Sequence, residues 1–68
     1  MDSLQIIVDA GILYEDQFIE LYFQVLRDEG FLTVFGIYEE EARRLLTALI
    51  EESTRHKMDL EELRDKLT

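Results

Sequence analysis

Apolar residues recur every three or four positions through two long segments of this chain. In the first segment, a step of about 100° per residue gathers the apolar side chains on one face, and charged side chains lie opposite. The members of that face are Leu4, Val8, Gly11, Ile12, Phe18, Ile19, Tyr22, Val25 and Leu26. The spacing predicts an amphipathic α-helix over residues 3–29.

The second segment repeats the pattern and predicts a helix over residues 37–67. Its stripe is formed by Tyr38, Ala42, Leu45, Leu46, Leu49, Ser53, His56, Leu60, Leu63 and Leu67. Asp59 followed by Glu62 also fits the start of a separate short helix. The stripe stays in phase from His56 through Leu60, which favours one unbroken helix.

Gly30 and Gly36 bracket the one uncharged stretch between the two helices, and we predict the connection at residues 30–36. Gly30 suits the left-handed position that follows a helix end. Four large apolar residues in so short a connection predict an interaction patch, unless they cap the end of the fold. These residues are Phe31, Leu32, Val34 and Phe35. Capping is the favoured reading, and docking on a partner protein is the alternative.

The apolar arc of the first helix is too wide for a single partner helix. Sixty-eight residues form one domain, 1–68, and a chain of this size is marginal without disulfides, metal or self-association. No cysteine is present, so disulfides are excluded. We therefore expect an all-α fold: a two-helix antiparallel hairpin that self-associates, as a homodimer or a larger homo-oligomer, into a four-helix bundle.

Charge narrows the range of partners. Sixteen acidic residues against seven basic ones give a net charge of -9. That excess opposes binding to nucleic-acid phosphates and to anionic membrane surfaces. No apolar run approaches the roughly 20 residues of a membrane span. The absence of cysteine fits a cytoplasmic location, which we take as the expectation.

Glu15 and His56 interrupt the two apolar stripes, one ionisable group in each. A buried carboxylate needs a partner, because burial without one is strongly penalised. Three readings stay open for Glu15: a ligand of a divalent metal, a paired carboxylate that fixes bundle register, or a partly exposed group. Twofold pairing would bring two copies of each residue toward one interior, with Glu52 at the stripe edge as a further candidate ligand.

The chain resembles one half of a ferritin-like, rubrerythrin-like di-iron carboxylate bundle. Glu15 and Tyr22 match that family's spacing of a ligand glutamate and an aromatic residue seven positions later. His56 matches the histidine of its Glu-x-x-His motif, but Ser53 stands where the motif has glutamate. The resemblance implies iron binding with oxidation or peroxide chemistry, and the departure at Ser53 places a full di-iron site in doubt. Tyr22 and Ser53 would then lie beside the ligands.

No catalytic motif is present, so we assign no catalytic residue and do not expect an enzyme. The sequence predicts a small acidic helical hairpin that acts through self-association and protein–protein interaction. The alternative is a minimal ferritin-like metal-binding protein, for iron, zinc or manganese, with a Glu/His site between subunits.

Overall fold

Two long helices run antiparallel and are joined at one end in the computed structural model, which describes residues 3–67. Helix α1 spans Ser3–Arg27, helix α2 Glu29–Leu32, a 3-10 helix Thr33–Tyr38, and helix α3 Glu39–Leu67. Residues 3–67 contain no strand, so the predicted all-α class and helical hairpin are confirmed. The molecule measures 50 × 15 × 13 Å, which is the shape of two helices side by side.

The connection between the long helices differs from the predicted one. Helix α1 ends at Arg27 rather than at residue 29, and the predicted connection, residues 30–36, lies within α2 and the 3-10 helix, with a kink at Gly36. Asp28 starts α2, because its Oδ1 accepts a hydrogen bond from the Phe31 N–H at 2.9 Å. The prediction that Gly30 takes the left-handed position after a helix end was wrong. Gly30 lies within α2, and Gly36 instead adopts positive φ, at 58°. Glycine tolerates that conformation because it has no Cβ.

Helix α3 begins at Glu39, two residues later than predicted, and continues unbroken past Asp59 to Leu67. The separate short helix is therefore not formed. Three glutamates fill the first turn of α3, where the helix dipole favours negative charge. Glu39 and Glu40 also pair with Arg43 and Arg44 one turn later, at 3.0 and 2.9 Å. These local pairs stabilise a helix whose sequence is rich in charge.

The core is a thin seam between α1 and α3. Val8, Ile12 and Leu32 are its buried apolar residues, and Ser53 is buried with them. Gly11 allows α3 to approach closely, because a Cβ at that position would lie 3.0 Å from Cδ1 of Leu60. None of the helices in residues 3–67 combines the length and the apolar composition that a membrane span requires.

Candidate functional site on the open flank of the hairpin

Glu15 and His56 meet across the hairpin. Glu15 Oε1 lies 3.5 Å from His56 Nδ1, so the two ionisable groups of the apolar stripes face each other. Glu15 is mostly buried, while the His56 ring is half-exposed. The second carboxyl oxygen, Glu15 Oε2, is buried without a hydrogen-bond partner. Such an atom loses its hydration without compensation, which makes Glu15 a costly residue for the hairpin alone.

The neighbours predicted from the family resemblance are near this pair in sequence and on the same helices. Tyr22 is half-buried and stacks with Phe18, their ring centroids 6.3 Å apart. Ser53 is buried one turn before His56. The position where the di-iron family carries its bridging glutamate is thus packed in the seam and supplies no carboxylate.

Glu52, the third candidate ligand, is exposed on α3. In the part of the chain that the structure describes, no group of three or more His, Cys, Asp or Glu side chains is placed to hold a metal ion. A single chain therefore contributes Glu15 and His56 as neighbouring donors. A di-iron centre needs several carboxylates, and this donor set does not fit one.

The flank of the hairpin that carries Glu15 and His56 is lined with exposed apolar side chains, and we call it the open flank. With Gly11 between Ile7 and Tyr14, the α1 residues follow the 3-4 spacing of a coiled-coil seam. The α3 residues lie in the same stripe as His56, and the antiparallel contact of Glu15 with His56 puts both stripes on the same side of the hairpin. The exposed members are Leu4, Ile7, Tyr14, Phe18, Leu21, Leu45 and Leu63.

On the opposite flank, ion pairs connect the two long helices, and we call it the charged flank. Lys57 Nζ lies 2.6 Å from Asp16 Oδ1, and Arg64 Nη1 lies 3.9 Å from Asp9 Oδ1. The hydrogen bond and negative charge of Asp16 raise the pKa of Lys57 above its usual 10.5. Both pairs bridge α1 and α3, so charged side chains of the same chain cover part of this side of the seam. Phe23, seven residues after Asp16, stays 42% exposed on the same face of α1.

The predicted patch at the connection divides into two parts. Leu32 is completely buried and caps the end of the seam, so it does not belong to a surface patch. Phe31, Val34 and Phe35 remain exposed, and the Phe31 and Phe35 rings meet edge to face with centroids 5.6 Å apart. Ile37 was missed by the sequence reasoning, although it immediately follows Gly36 and is exposed.

Sequence reasoning also missed part of the open flank. Ile7, Tyr14 and Leu21 were left out of the predicted stripe of α1. Their spacing from Leu4 and Phe18, three or four residues at each step, was the signal that could have found them. The charged flank was harder to predict from the sequence, because its ion pairs, such as Asp16 with Lys57, join residues that are far apart in the chain.

Comparison with known proteins finds no matching family model, no significant match among curated proteins and no matching solved structure.

Proposed function

We propose that this protein acts through self-association: two hairpins pair through their open flanks and form a four-helix bundle. The observation that carries the proposal is the open flank itself. Its exposed residues run along α1 from Leu4 to Leu21 and reappear on α3 at Leu45 and Leu63. A surface of this kind on a small protein marks a site of interaction.

The amount of exposed surface supports a second copy as the occupant. The accessible surface is 5246 Å², whereas a compact folded chain of 8.1 kDa has about 4,500 Å². The excess of roughly 750 Å² reflects the elongated shape of the hairpin, which leaves surface in water that a partner can cover; each partner contributes ~800 Å² to a stable interface. Pairing along the 50 Å length of the hairpin would cover such an area.

The distribution of charge supports the same occupant. A net charge of -9 makes two copies repel wherever their charged surfaces meet. On α1 the only acidic residue of the open flank in the described chain is Glu15, which is accompanied by His56. On α3 the exposed Glu52 lies on this flank, seven residues after Leu45. The carboxylates of the charged flank would face away from the partner. The open flank is thus the side on which two copies can approach at the least electrostatic cost.

Sedimentation equilibrium of the untagged protein tests this proposal. We expect a species of twice the 8.1 kDa chain mass, or a larger one, at micromolar concentration. Leu45→Asp should dissociate it, because dimerisation would bury an unpaired charge. The expected increase in dissociation constant is about 100-fold or more, which corresponds to ~3 kcal/mol.

Met58→Asp is the matched control on the same helix. Leu45 and Met58 are equally accessible, at 61% and 63%, but lie about 140° apart around α3. Met58→Asp should leave the mass unchanged. A wild-type protein that sediments as a folded monomer would end the proposal, and so would equal dissociation by both substitutions.

Metal binding between subunits is the second candidate, and the unpartnered Glu15 Oε2 is the observation that favours it. Within residues 3–67 no third donor joins Glu15 and His56, so a metal would need the same two residues of a second copy. Zinc and manganese accept such a mixed set of carboxylate and imidazole donors. The resemblance to the ferritin-like family stays a prediction.

Elemental analysis of untagged protein purified without chelator tests the metal candidate. About one equivalent of zinc, manganese or iron per dimer, lost in His56→Ala, would support it. The paired-carboxylate reading instead expects no stoichiometric metal. It also expects Glu15→Gln to melt at the same or a higher temperature, since the substitution removes a poorly compensated buried charge.

A further inference from the structure

The closed end of the hairpin exposes apolar side chains that the fold does not use. Leu32 alone is buried there and caps the seam. Val34 and Ile37 are 81% and 88% exposed, the highest values among the large apolar residues in the described part of the chain. With Phe31 and Phe35 they form a group that we call the apolar tip. Burial of Val34 and Ile37 contributes little to the hairpin, so their presence calls for another explanation.

The backbone holds the tip in this shape. Gly36, with φ of 58° and ψ of -121°, breaks the helical path between Val34 and Ile37. Among the described residues, this glycine alone has positive φ. On the other side of the tip, the Asp28 carboxylate caps the N–H of Phe31, and the Thr33 hydroxyl donates to the Gly30 carbonyl at 2.8 Å. The tip is therefore an ordered surface built from local hydrogen bonds.

The charge beside the tip is of one sign. Residues 28–41 contain five acidic residues and no basic one. Arg43 and Arg44, just beyond that segment, turn back onto Glu39 and Glu40, which leaves Asp28, Glu29 and Glu41 without a cation from these two arginines. A second copy of the tip would bring like charges together, so end-to-end self-association is disfavoured.

We propose that the apolar tip is a docking surface for a cationic, amphipathic protein segment, distinct from the surface used for self-association. Such a segment would cover Val34 and Ile37 with its apolar face and place lysine or arginine beside the acidic residues. Apolar contact supplies most of the affinity, and charge complementarity selects the partner. The tip lies at one end of the molecule, away from the middle of the open flank.

The test uses a synthetic amphipathic helix of leucine and lysine as the probe, added to the isotope-labelled full chain and followed by amide chemical shifts. We expect saturable binding, with the largest shift changes in residues 28–41. The double variant Val34→Ser with Ile37→Ser should bind at least about tenfold more weakly, because two apolar side chains no longer become buried. Met58→Ser, which removes a 63% exposed apolar side chain elsewhere on the surface, should bind within about twofold of wild type.

Results of three kinds would overturn the proposal, and they concern the probe, the site of binding and the oligomer. The first is the absence of saturable binding, or equal binding of a peptide in which glutamate replaces every lysine. The second is unchanged affinity in the double variant or shift changes centred on the open flank. The third is a lower oligomer mass in the double variant, which would make the tip a contact between copies. Because Leu45→Asp tests self-association at another surface, failure of either proposal is distinguishable from failure of the other.

Discussion

The two flanks of the hairpin cover the same seam by different means. On the charged flank, Asp16 with Lys57 and Asp9 with Arg64 reach across from one long helix to the other. On the open flank, the contact across the seam is Glu15 with His56, and its surroundings are exposed apolar side chains such as Tyr14. The charged flank is bridged by ion pairs within a single chain, with Phe23 still 42% exposed, whereas the open flank leaves most of its apolar surface in water.

This difference separates folding from association. The seam residues determine whether the hairpin forms, since they are buried in one chain. The open-flank residues add little to that step, because they remain exposed after folding, and their apolar surface becomes available for a partner. Substitutions on the seam and on the open flank should therefore change different measurements.

The largest difference between a seam substitution and an open-flank substitution is expected at two adjacent residues of α1. Val8 is 2% exposed and Ile7 is 65% exposed. Val8→Ala should lower the free energy of unfolding by about 2 kcal/mol, through lost burial and a residual cavity. Ile7→Ala should leave hairpin folding almost unchanged and weaken self-association by roughly tenfold.

Chemical denaturation over a range of protein concentrations separates the free energy of hairpin unfolding from the free energy of association. A denaturation midpoint that rises with protein concentration indicates association. The midpoint approached at low concentration measures the stability of the dissociated hairpin. If Ile7→Ala destabilises the dissociated hairpin as much as Val8→Ala does, the distinction between seam and open flank is wrong.

A smaller effect is expected on the charged flank. Lys57→Met removes the bridge to Asp16, and it should lower the melting temperature only slightly, because partly exposed ion pairs contribute little. The oligomer mass should be unchanged, since the substitution lies opposite the proposed interface. Dissociation of the Lys57→Met variant in sedimentation would show that the charged flank, too, takes part in assembly.

The smallest effect concerns alkaline pH. Asp16 raises the pKa of Lys57, so the folded state holds this proton more tightly than the unfolded chain does. The stabilisation is fully present below pH 10.5, the usual lysine value, and is lost as pH rises through the raised pKa. Wild type should therefore lose slightly more stability than Lys57→Met above pH 10.5.

Lys66→Met provides the control for this titration, because Lys66 pairs only locally with Glu62 within α3 in the described chain. Melting curves of the three proteins between neutral and alkaline pH make the comparison. Effects of alkaline pH that all three proteins share cancel in the difference between wild type and each variant. If Lys57→Met and wild type decline in parallel, the Asp16 contact contributes nothing to stability.

Sequence periodicity was sufficient to predict the long helices, because helical periodicity depends on local backbone geometry. A repeat of three or four residues fixed which side chains face the seam, including Val8, Ile12 and Leu60. It was also sufficient to single out Glu15 and His56, as ionisable groups within apolar stripes. The connection was harder to predict, since the capping bond from Phe31 to Asp28 and the conformation of Gly36 depend on the whole turn.

By itself, then, the sequence determined two amphipathic helices, an acidic surface and a polar residue within each apolar stripe, because these follow from residue order and helical pitch. Only the tertiary structure decided that Glu15 and His56 approach to 3.5 Å, that Leu32 is buried, and that one flank carries the charged bridges while the other stays apolar. Those features depend on the relative rotation and register of α1 and α3, which close packing at Gly11 and Leu60 helps to set and local periodicity does not specify.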